Sequence, residues 1–326
     1  MTQFSLDVGA FSTKLKVGGE PVVVVPSLAA YDLERGVVTA IGKEALDTAL
    51  KTGSRAKLFR LMDGGAPAEP RILSGYLKAL LKTVGIRGFG RDTVTAAACG
   101  GASDLDVKSL LAAVEEAGSK RCTPVPSVIA AAAGVHEDPS QEQGVMALIV
   151  GESVVEAGIV SFGKVAAQSS GRGGVRALRS SIKESVRSSA QIVISDEVAF
   201  EILAEMIDIG QPGLNTLAKV WGRSQENGEH TSATISARDL APPLLREVDS
   251  IAAVATTCIS RAKAQLVSDV AYRGIYLLGG GARLTGLANY LSNTLSVAVK
   301  LPSDPELAIV EGLAGLASSP KVDIYW

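Results

Sequence analysis

The stretch that decides the fold is GIYLLGGGARLTGL, residues Gly274–Leu287. An apolar run leads into Gly279, Gly280 and Gly281, and a helical pattern follows them. Glycine lets backbone N–H groups converge on a ligand because no Cβ intervenes, and phosphate-binding loops use this property. The stretch therefore predicts a buried strand, a ligand-binding turn and a helix, in that order.

Two further glycine-bearing turns follow apolar runs nearer the N-terminus. They lie at Asp7–Thr13 (DVGAFST) and at Gly151–Ser153 (GES). Each sits in the same pattern of strand, turn and strand, which reads FSLDVGAFSTKLKV at Phe4–Val17 and ALIVGESVVEAGIV at Ala147–Val160. A pattern that occurs once in each half of a chain indicates two related lobes.

Composition narrows the function classes. The net charge of −2 gives no basic footprint, so we expect no nucleic-acid partner. The three cysteines (Cys99, Cys122 and Cys258) lie far apart, which predicts reduced thiols and neither a disulfide framework nor a metal site. No apolar run reaches the roughly 20 residues of a membrane span, and no signal peptide is visible, so we expect a cytoplasmic protein.

Short apolar runs alternate with helical stretches along the chain, which predicts an α/β fold. We expect a first lobe at 1–143, with a small insertion at about 32–65, and a second lobe at 144–311, with an insertion at about 183–244. Residues 312–326 are expected to form a closing helix that returns to the first lobe, followed by a C-terminal tail. Gly222–Thr234 is polar and predicts an exposed loop, and Pro242 and Pro243 predict that a helix begins near Pro243.

These motifs together resemble those of bacterial actins of the MreB type, members of the actin-like ATPase superfamily. LDVGAFSTKLKV resembles the first phosphate loop of that family, and GIYLLGGGARLTGL resembles its adenosine loop. Three further segments resemble the helix that connects the lobes, the Lys-Asp-Gly segment and the closing helix: TPVPSVIAAAAGV (Thr123–Val135), LMDGGAPAEP (Leu61–Pro70) and PELAIVEGLAGL (Pro305–Leu316).

The resemblance implies an actin-like fold, with two related ribonuclease-H-like lobes flanking a central cleft and smaller subdomain insertions. It also implies which residues would bind a nucleotide, if that activity is retained: Asp7, Gly9, Ser12, Thr13, Gly151, Gly279, Gly280 and Gly281.

The second phosphate loop departs from the family pattern, Asp-Ile-Gly-Gly-Gly-Thr-Thr-Glu. Ile149 stands where the family has an acid that orients water around magnesium, and isoleucine cannot accept a hydrogen bond. Glu152 replaces a glycine, so we expect it to bring negative charge toward a polyphosphate. Val125 and Val175 replace two further acids, the first of which positions the attacking water. We therefore expect no catalytic residues, no bound metal and no ATP hydrolysis.

The family's adenosine-clamping Lys and Glu align best with Phe200 and Ile202. Glu201 and Glu205 lie close to these positions and would restore part of the clamp if the alignment slips.

Two surface segments are candidates for contacts. In the loop Val84–Arg91, Ile86 and Phe89 lie near arginines and would insert into an anionic membrane surface, although a helix C-cap and turn explains the loop equally well. The tail at 321–326 alternates apolar and polar residues, so Ile324 and Trp326 are candidate interaction anchors, with a frayed tail as the alternative.

The leading expectation is an MreB-like cytoskeletal or scaffold protein that is a pseudo-ATPase without cofactor. It would associate with itself or with another actin homologue, and the inner face of the cell membrane is a further candidate partner. One alternative is an ATP-dependent filament-forming protein that binds ATP with magnesium weakly. A second is a monomeric actin-like adaptor recruited to a membrane assembly.

Overall fold

The computed structural model describes residues 2–52, 55–90, 93–214 and 216–318. Its strands are β1 (Gln3–Val8), β2 (Ser12–Val17), β3 (Val23–Pro26), β4 (Leu28–Asp32), β5 (Val37–Ile41), β6 (Ala56–Arg60), β7 (Met62–Asp63), β8 (Ala66–Pro67), β9 (Thr93–Ala98), β10 (Cys122–Pro126), β11 (Val145–Val150), β12 (Val154–Ser161), β13 (Lys164–Arg172), β14 (Ile192–Val193), β15 (Leu217–Ser224), β16 (His230–Ser236), β17 (Ile275–Leu278) and β18 (Val299–Lys300). Its α-helices are α1 (Gly42–Thr52), α2 (Pro70–Thr83), α3 (Asp104–Glu116), α4 (Ser127–Gly134), α5 (Gly174–Ala190), α6 (Asp196–Glu201), α7 (Ala237–Ser260), α8 (Ala264–Arg273), α9 (Leu287–Leu295) and α10 (Ala308–Ser318). A π-helical turn at Ile202–Met206 continues α6, and a 3₁₀ turn spans Gly280–Arg283.

Two five-stranded sheets of the same design form the two lobes. The sheet of lobe one has the order β10-β9-β1-β2-β3, and the sheet of lobe two has the order β18-β17-β11-β12-β13. In each, three consecutive strands pair antiparallel, a later strand pairs in parallel with the first of them, and a further strand pairs in parallel with that later strand. The repeated strand-turn-strand pattern in the sequence therefore marks a repeated sheet, as expected.

Helices α4 and α10 pack between the two sheets. Their backbones touch at two glycines, because a Cβ on Gly134 would lie 1.8 Å from the carbonyl oxygen of Ala308 and one on Gly312 would lie 1.8 Å from that of Ala130. Strand β11 (VMALIV) is buried along its whole length because helices cover both faces of its sheet. Because helices hold β11 on both faces, the turn that follows this strand is held in place as well.

Besides the two five-stranded sheets there are two three-stranded sheets, in the order β5-β4-β6 and β14-β15-β16, and β7 pairs with β8. The second contains most of the segment Gly222–Thr234, so the expectation of an exposed loop there is wrong except at the turn between β15 and β16. Its polar residues reflect a sheet that faces water.

The expected helix start at Pro243 is also wrong, because α7 runs through both prolines. Pro242 and Pro243 lack the N–H groups that would reach the carbonyls of Arg238 and Asp239 one turn earlier. Those two residues are exposed, so solvent is available to their carbonyls and the helix can continue.

Candidate functional site

A cleft of about 310 Å³ lies between the lobes, at the carboxyl ends of β1, β11 and β17. The three glycine-bearing turns meet there, as the sequence predicted. Six of the expected nucleotide-binding residues line it: Asp7, Gly9, Ser12, Gly151, Gly279 and Gly280. A crevice at the carboxyl ends of strands is where α/β proteins bind ligands.

Two expected binding residues do not face the cleft. Thr13 is fully buried, and its Oγ1 lies 2.9 Å from Oγ of Ser27, with which it shares a hydrogen bond. Gly281 packs against Val150, where a Cβ would approach the Val150 side chain to 2.3 Å. The expectation is corrected for both residues. Thr13 lies on the opposite face of β2 from Ser12, and Gly281 closes its turn against β11.

Three positions that carry acids in the family are occupied by apolar residues here. Ile149 and Val175 line the cleft, and Val125 is buried beside it at 1% exposure. These side chains have no oxygen for a hydrated cation. Among the described residues, no group of His, Cys, Asp and Glu has the arrangement of a metal site. The residues present therefore do not fit a magnesium ion held as the family pattern implies.

Glu152 forms a buried ion pair with Arg179 of α5. The two guanidinium nitrogens donate to the two carboxylate oxygens at 2.5 and 2.9 Å, and both residues are less than 10% exposed. A bidentate pair of this kind is strong and geometrically specific. The expectation that Glu152 directs uncompensated negative charge into the cleft is therefore wrong, because Arg179 neutralises it.

The backbone at the N-terminus of α5 is also engaged. Val175 N donates to the carbonyl of Gly151 at 3.0 Å, and Arg176 N donates to that of Glu152 at 2.9 Å. Free N–H groups at a helix N-terminus are what normally attracts a phosphate. Here two of the first N–H groups are used within the chain.

The other cations of the cleft are paired as well. Lys14 contacts Asp7 at 2.9 Å, and Arg283 contacts Glu306 at 2.6 Å. With Arg179, these are the Lys and Arg side chains among the described residues that line the cleft. Each has a carboxylate partner in the chain, so a polyphosphate would have to displace one of these carboxylates to gain a cation.

Glu156 is the lining carboxylate without a cationic partner in the described structure. It is 3% exposed, and its Oε1 accepts a hydrogen bond from Gly100 N at 2.8 Å. Burial raises the pKa of the Glu156 carboxyl to about 7, and the nearby negative charge of Asp7 acts in the same direction. Near neutral pH the Glu156 carboxyl is therefore present in both its neutral and its charged form.

Polar contacts join the lobes across the cleft. Asp63, on lobe one, pairs with Arg176 of α5 at 2.5 Å, and Gly64 N donates to Ser153 Oγ at 3.2 Å. The bond from Gly100 to Glu156 is a third cross-lobe contact. These partners were not predictable from the sequence, because nothing local in it marks Arg176 or Arg179 as facing a particular carboxylate.

The adenosine clamp is not restored by its neighbours. Phe200 lines the cleft with a partly exposed ring, whereas Glu201 and Glu205 face away from it and line a separate cavity. Ile202 also lies at that second cavity and is buried. The acidic pair therefore has no role in the cleft.

The candidate membrane loop is only partly exposed. Phe89 is 1% exposed and packs edge-to-face on Phe4 with ring centroids 5.1 Å apart, so its expected membrane contact is wrong. Ile86 is half-buried against the same core. Ile324 and Trp326 lie outside the described residues, as does Arg91. Within the part of the chain that the structure describes, no helix has the length and apolarity to cross a membrane.

The chain is similar to known proteins over almost its whole length. The sequence profile of the family described as MreB/Mbl protein matches residues 1–323. The cell shape-determining protein MreB of Escherichia coli K12 is 25% identical over 316 residues, which are 94% of this chain and 91% of the relative. The cell shape-determining protein Mbl of Bacillus subtilis 168 is 22% identical over 302 residues, 92% of this chain and 91% of the relative.

Solved structures agree with the fold. MreB 5 of Spiroplasma citri bound to AMPPNP superimposes with a TM-score of 0.89 at 22% identity, covering 97% of this chain and 96% of that one. A MamK double helical filament gives a TM-score of 0.79 at 15% identity, covering 98% and 99%. The fold is therefore actin-like, as the motifs implied.

Proposed function

The chain belongs to the MreB/Mbl family, and on that premise we propose that it is an actin-like cytoskeletal or scaffold protein that assembles without hydrolysing ATP. Its curated relatives are cell shape-determining proteins, and a structural relative forms a double helical filament. We place it in the cytoplasm, associating with copies of itself or co-assembling with another actin homologue.

The observation that carries the proposal is the ion pair between Glu152 and Arg179. It puts a carboxylate, already neutralised by its own cation, in the second phosphate loop. A nucleotide phosphate would have to separate these groups, and separating a buried pair leaves an uncompensated charge that costs several kcal/mol, about 3–5 by analogy with deletion of one partner. Binding of a polyphosphate is therefore weak or absent.

Hydrolysis meets a second obstacle. Phosphoryl transfer depends on a metal ion and on a positioned water molecule. Ile149 and Val175 line the cleft with hydrocarbon, and Val125 is buried, so none of the three can orient these groups. The described carboxylates of the cleft other than Glu156 are each paired with a cation, which leaves the buried Glu156 as the one unpaired group that could activate water.

Noncovalent contacts within the chain already hold the two lobes together across the cleft. In a two-lobed protein, a bound ligand stabilises the closed arrangement by contacting both sides of the cleft. Here the contact between Asp63 and Arg176, the bond from Gly64 to Ser153 and the bond from Gly100 to Glu156 connect the same two sides. We infer that the assembly-competent arrangement does not require a nucleotide.

One observation favours a second candidate, an ATP-dependent filament-forming protein. Asp7, Ser12, Gly279 and Gly280 still line a cleft of about 310 Å³, and a structural relative was solved with AMPPNP. In this alternative, the phosphates of a bound nucleotide replace the carboxylates that pair with the cations of the cleft.

Sedimentation and negative-stain electron microscopy of the purified chain distinguish the two candidates. The comparison is among samples without nucleotide, with magnesium and ATP, and with magnesium and AMPPNP. We expect the same sedimenting fraction in all three. Assembly that appears only with a nucleotide would favour the second candidate, and a monomer under every condition, alone or mixed with an active actin homologue, would contradict both.

A further inference from the structure

Strand β14 is too short to cover its neighbour in the sheet β14-β15-β16. It pairs with β15 only through Ile192–Val193, and the chain then enters α6, whose N-cap is Ser195. The rest of β15, Leu217–Gly222, has no strand partner on this side in the described structure. A sheet edge with unpaired N–H and C=O groups is a template for another strand.

The hydrogen-bonding pattern shows which residues face this edge. Gln225 N donates to the carbonyl of Gln191 at 3.0 Å, so odd-numbered residues of β15 direct their backbone groups toward β14. By the same alternation the N–H and C=O groups of Lys219 and Trp221 point toward the space beyond the end of β14. No described backbone group pairs with them.

That space is a cavity of about 380 Å³ between the edge of β15 and the helical segment α6 with its π-helical turn. Glu201 and Glu205, one helical turn apart, are exposed on its helical wall and have no ion-pair partner among the described residues. On the strand wall Trp221 is 60% exposed, and the ammonium of Lys219 lies 4.9 Å from the centre of its ring.

We propose that this slot binds an extended segment of a partner protein, which adds as a strand to the free edge of β15. The backbone groups of Lys219 and Trp221 supply the ladder bonds, as in other complexes formed by strand addition. A lysine or arginine of the segment faces Glu201 and Glu205, which otherwise present two adjacent negative charges to solvent.

Charge complementarity with Glu201 and Glu205 selects an occupant that carries cations. Among the edge strands of the described sheets, β3 (VVVP) and β5 (VVTAI) carry none, whereas β6 (AKLFR), β13 (KVAAQSSGR) and β18 (VK) do, so the test below includes a second copy of this chain as an outcome that overturns the proposal. The site is also separate from the nucleotide cleft, since Phe200 lines the cleft and Glu201 lines the slot. Strand addition at the slot is therefore independent of whether the chain hydrolyses ATP.

The test uses the full chain with Trp326→Phe, which leaves Trp221 as its one tryptophan. The probe is the peptide acetyl-Lys-Val-Lys-Val-Lys-amide, titrated with tryptophan fluorescence and calorimetry. We expect saturable binding, weakened about tenfold or more by the double variant E201Q/E205Q, a difference of about 1.4 kcal/mol or more. The control E226Q, which changes an exposed glutamate in the turn after β15, should bind like the parent.

Backbone methylation separates strand addition from simple charge attraction. A peptide N-methylated at alternate amides on one edge should lose binding, and one methylated on the opposite edge should keep it, because an added strand bonds through a single edge. Equal binding by both methylated peptides, equal binding by Glu-Val-Glu-Val-Glu, or no binding at all would overturn the proposal. So would a change in self-association of E201Q/E205Q without peptide binding, which would identify a second copy as the occupant.

Discussion

The carboxylate of Glu152 is held by the guanidinium of Arg179 through two hydrogen bonds of 2.5 and 2.9 Å, inside the loop that corresponds to the family's second phosphate loop. Arg179 lies one and a half turns into α5, and both side chains are buried. The pair therefore places an anion of the chain itself, with its own counter-charge, in the cleft between the lobes.

Removing one partner of this pair should strongly destabilise the fold. For Arg179→Met we expect a loss of about 3–5 kcal/mol in the free energy of unfolding, because the buried Glu152 then keeps only its longer contact to Arg176 Nε, at 3.5 Å. Urea denaturation measures it. The matched control Arg187→Met, which breaks an exposed pair with Glu184, should change the stability little, because solvent screens an exposed pair. Equal effects of the two variants would contradict the role given to the buried pair.

The raised pKa of Glu156 predicts a specific pH dependence. The carboxyl titrates near 7 when folded and near 4.5 when unfolded, so the folded state binds more protons between these values. The free energy of unfolding contributed by Glu156 therefore falls as pH rises through this window, by up to about 1.4 kcal/mol per pH unit. Glu156→Gln should remove this slope, which parallel urea titrations at several pH values would show. A variant with the parent's slope would count against a buried, neutral carboxyl.

Loss of cross-lobe contacts should loosen the cleft more than it destabilises either lobe. Asp63 and Arg176 are partly exposed, so Asp63→Asn should cost under about 1 kcal/mol. Combined with Ser153→Ala, it removes two bridges, and we expect a larger radius of gyration by small-angle X-ray scattering. Lys183→Gln, which breaks a similarly exposed pair within lobe two, is the control. An unchanged radius in the double variant would mean that these contacts do not hold the lobes together.

Phe89 should behave as a core residue. Its ring is buried against Phe4, so Phe89→Ala should destabilise the chain by about 3–5 kcal/mol. Thermal or urea unfolding would measure the loss. A variant of parental stability that failed to bind anionic vesicles would instead restore the membrane interpretation of this loop.

The fold was predictable because its signals are local and repeated. Gly279 and the first turn after Asp7 mark strand ends by their glycines, and the repeated strand-turn-strand pattern marks a repeated sheet. The positions of Ile149 and Val175 also followed from alignment with the motif, since the glycines around them fix the register. Apolar residues at these positions line the cleft as expected.

The pairing of charges was not predictable in the same way. Glu152 and Arg179 are separated by two strands and a turn, and the side of α5 that faces the loop depends on packing that no local pattern encodes. The sequence suggested a repulsive charge where the structure has a neutralised one. The prediction for Phe89 failed for a related reason. An apolar residue between polar ones gives the same sequence pattern whether its side chain points into solvent or into the core.

Calorimetric titration of the purified parent chain with magnesium and ATP shows whether the buried ion pair keeps nucleotide out of the cleft, with Glu152→Gly as the companion variant. We expect no binding by the parent below about 1 mM, and binding at least about tenfold tighter by Glu152→Gly, because Arg179 is then free for a phosphate. Micromolar binding of ATP by the parent would show that the cleft is a working nucleotide site.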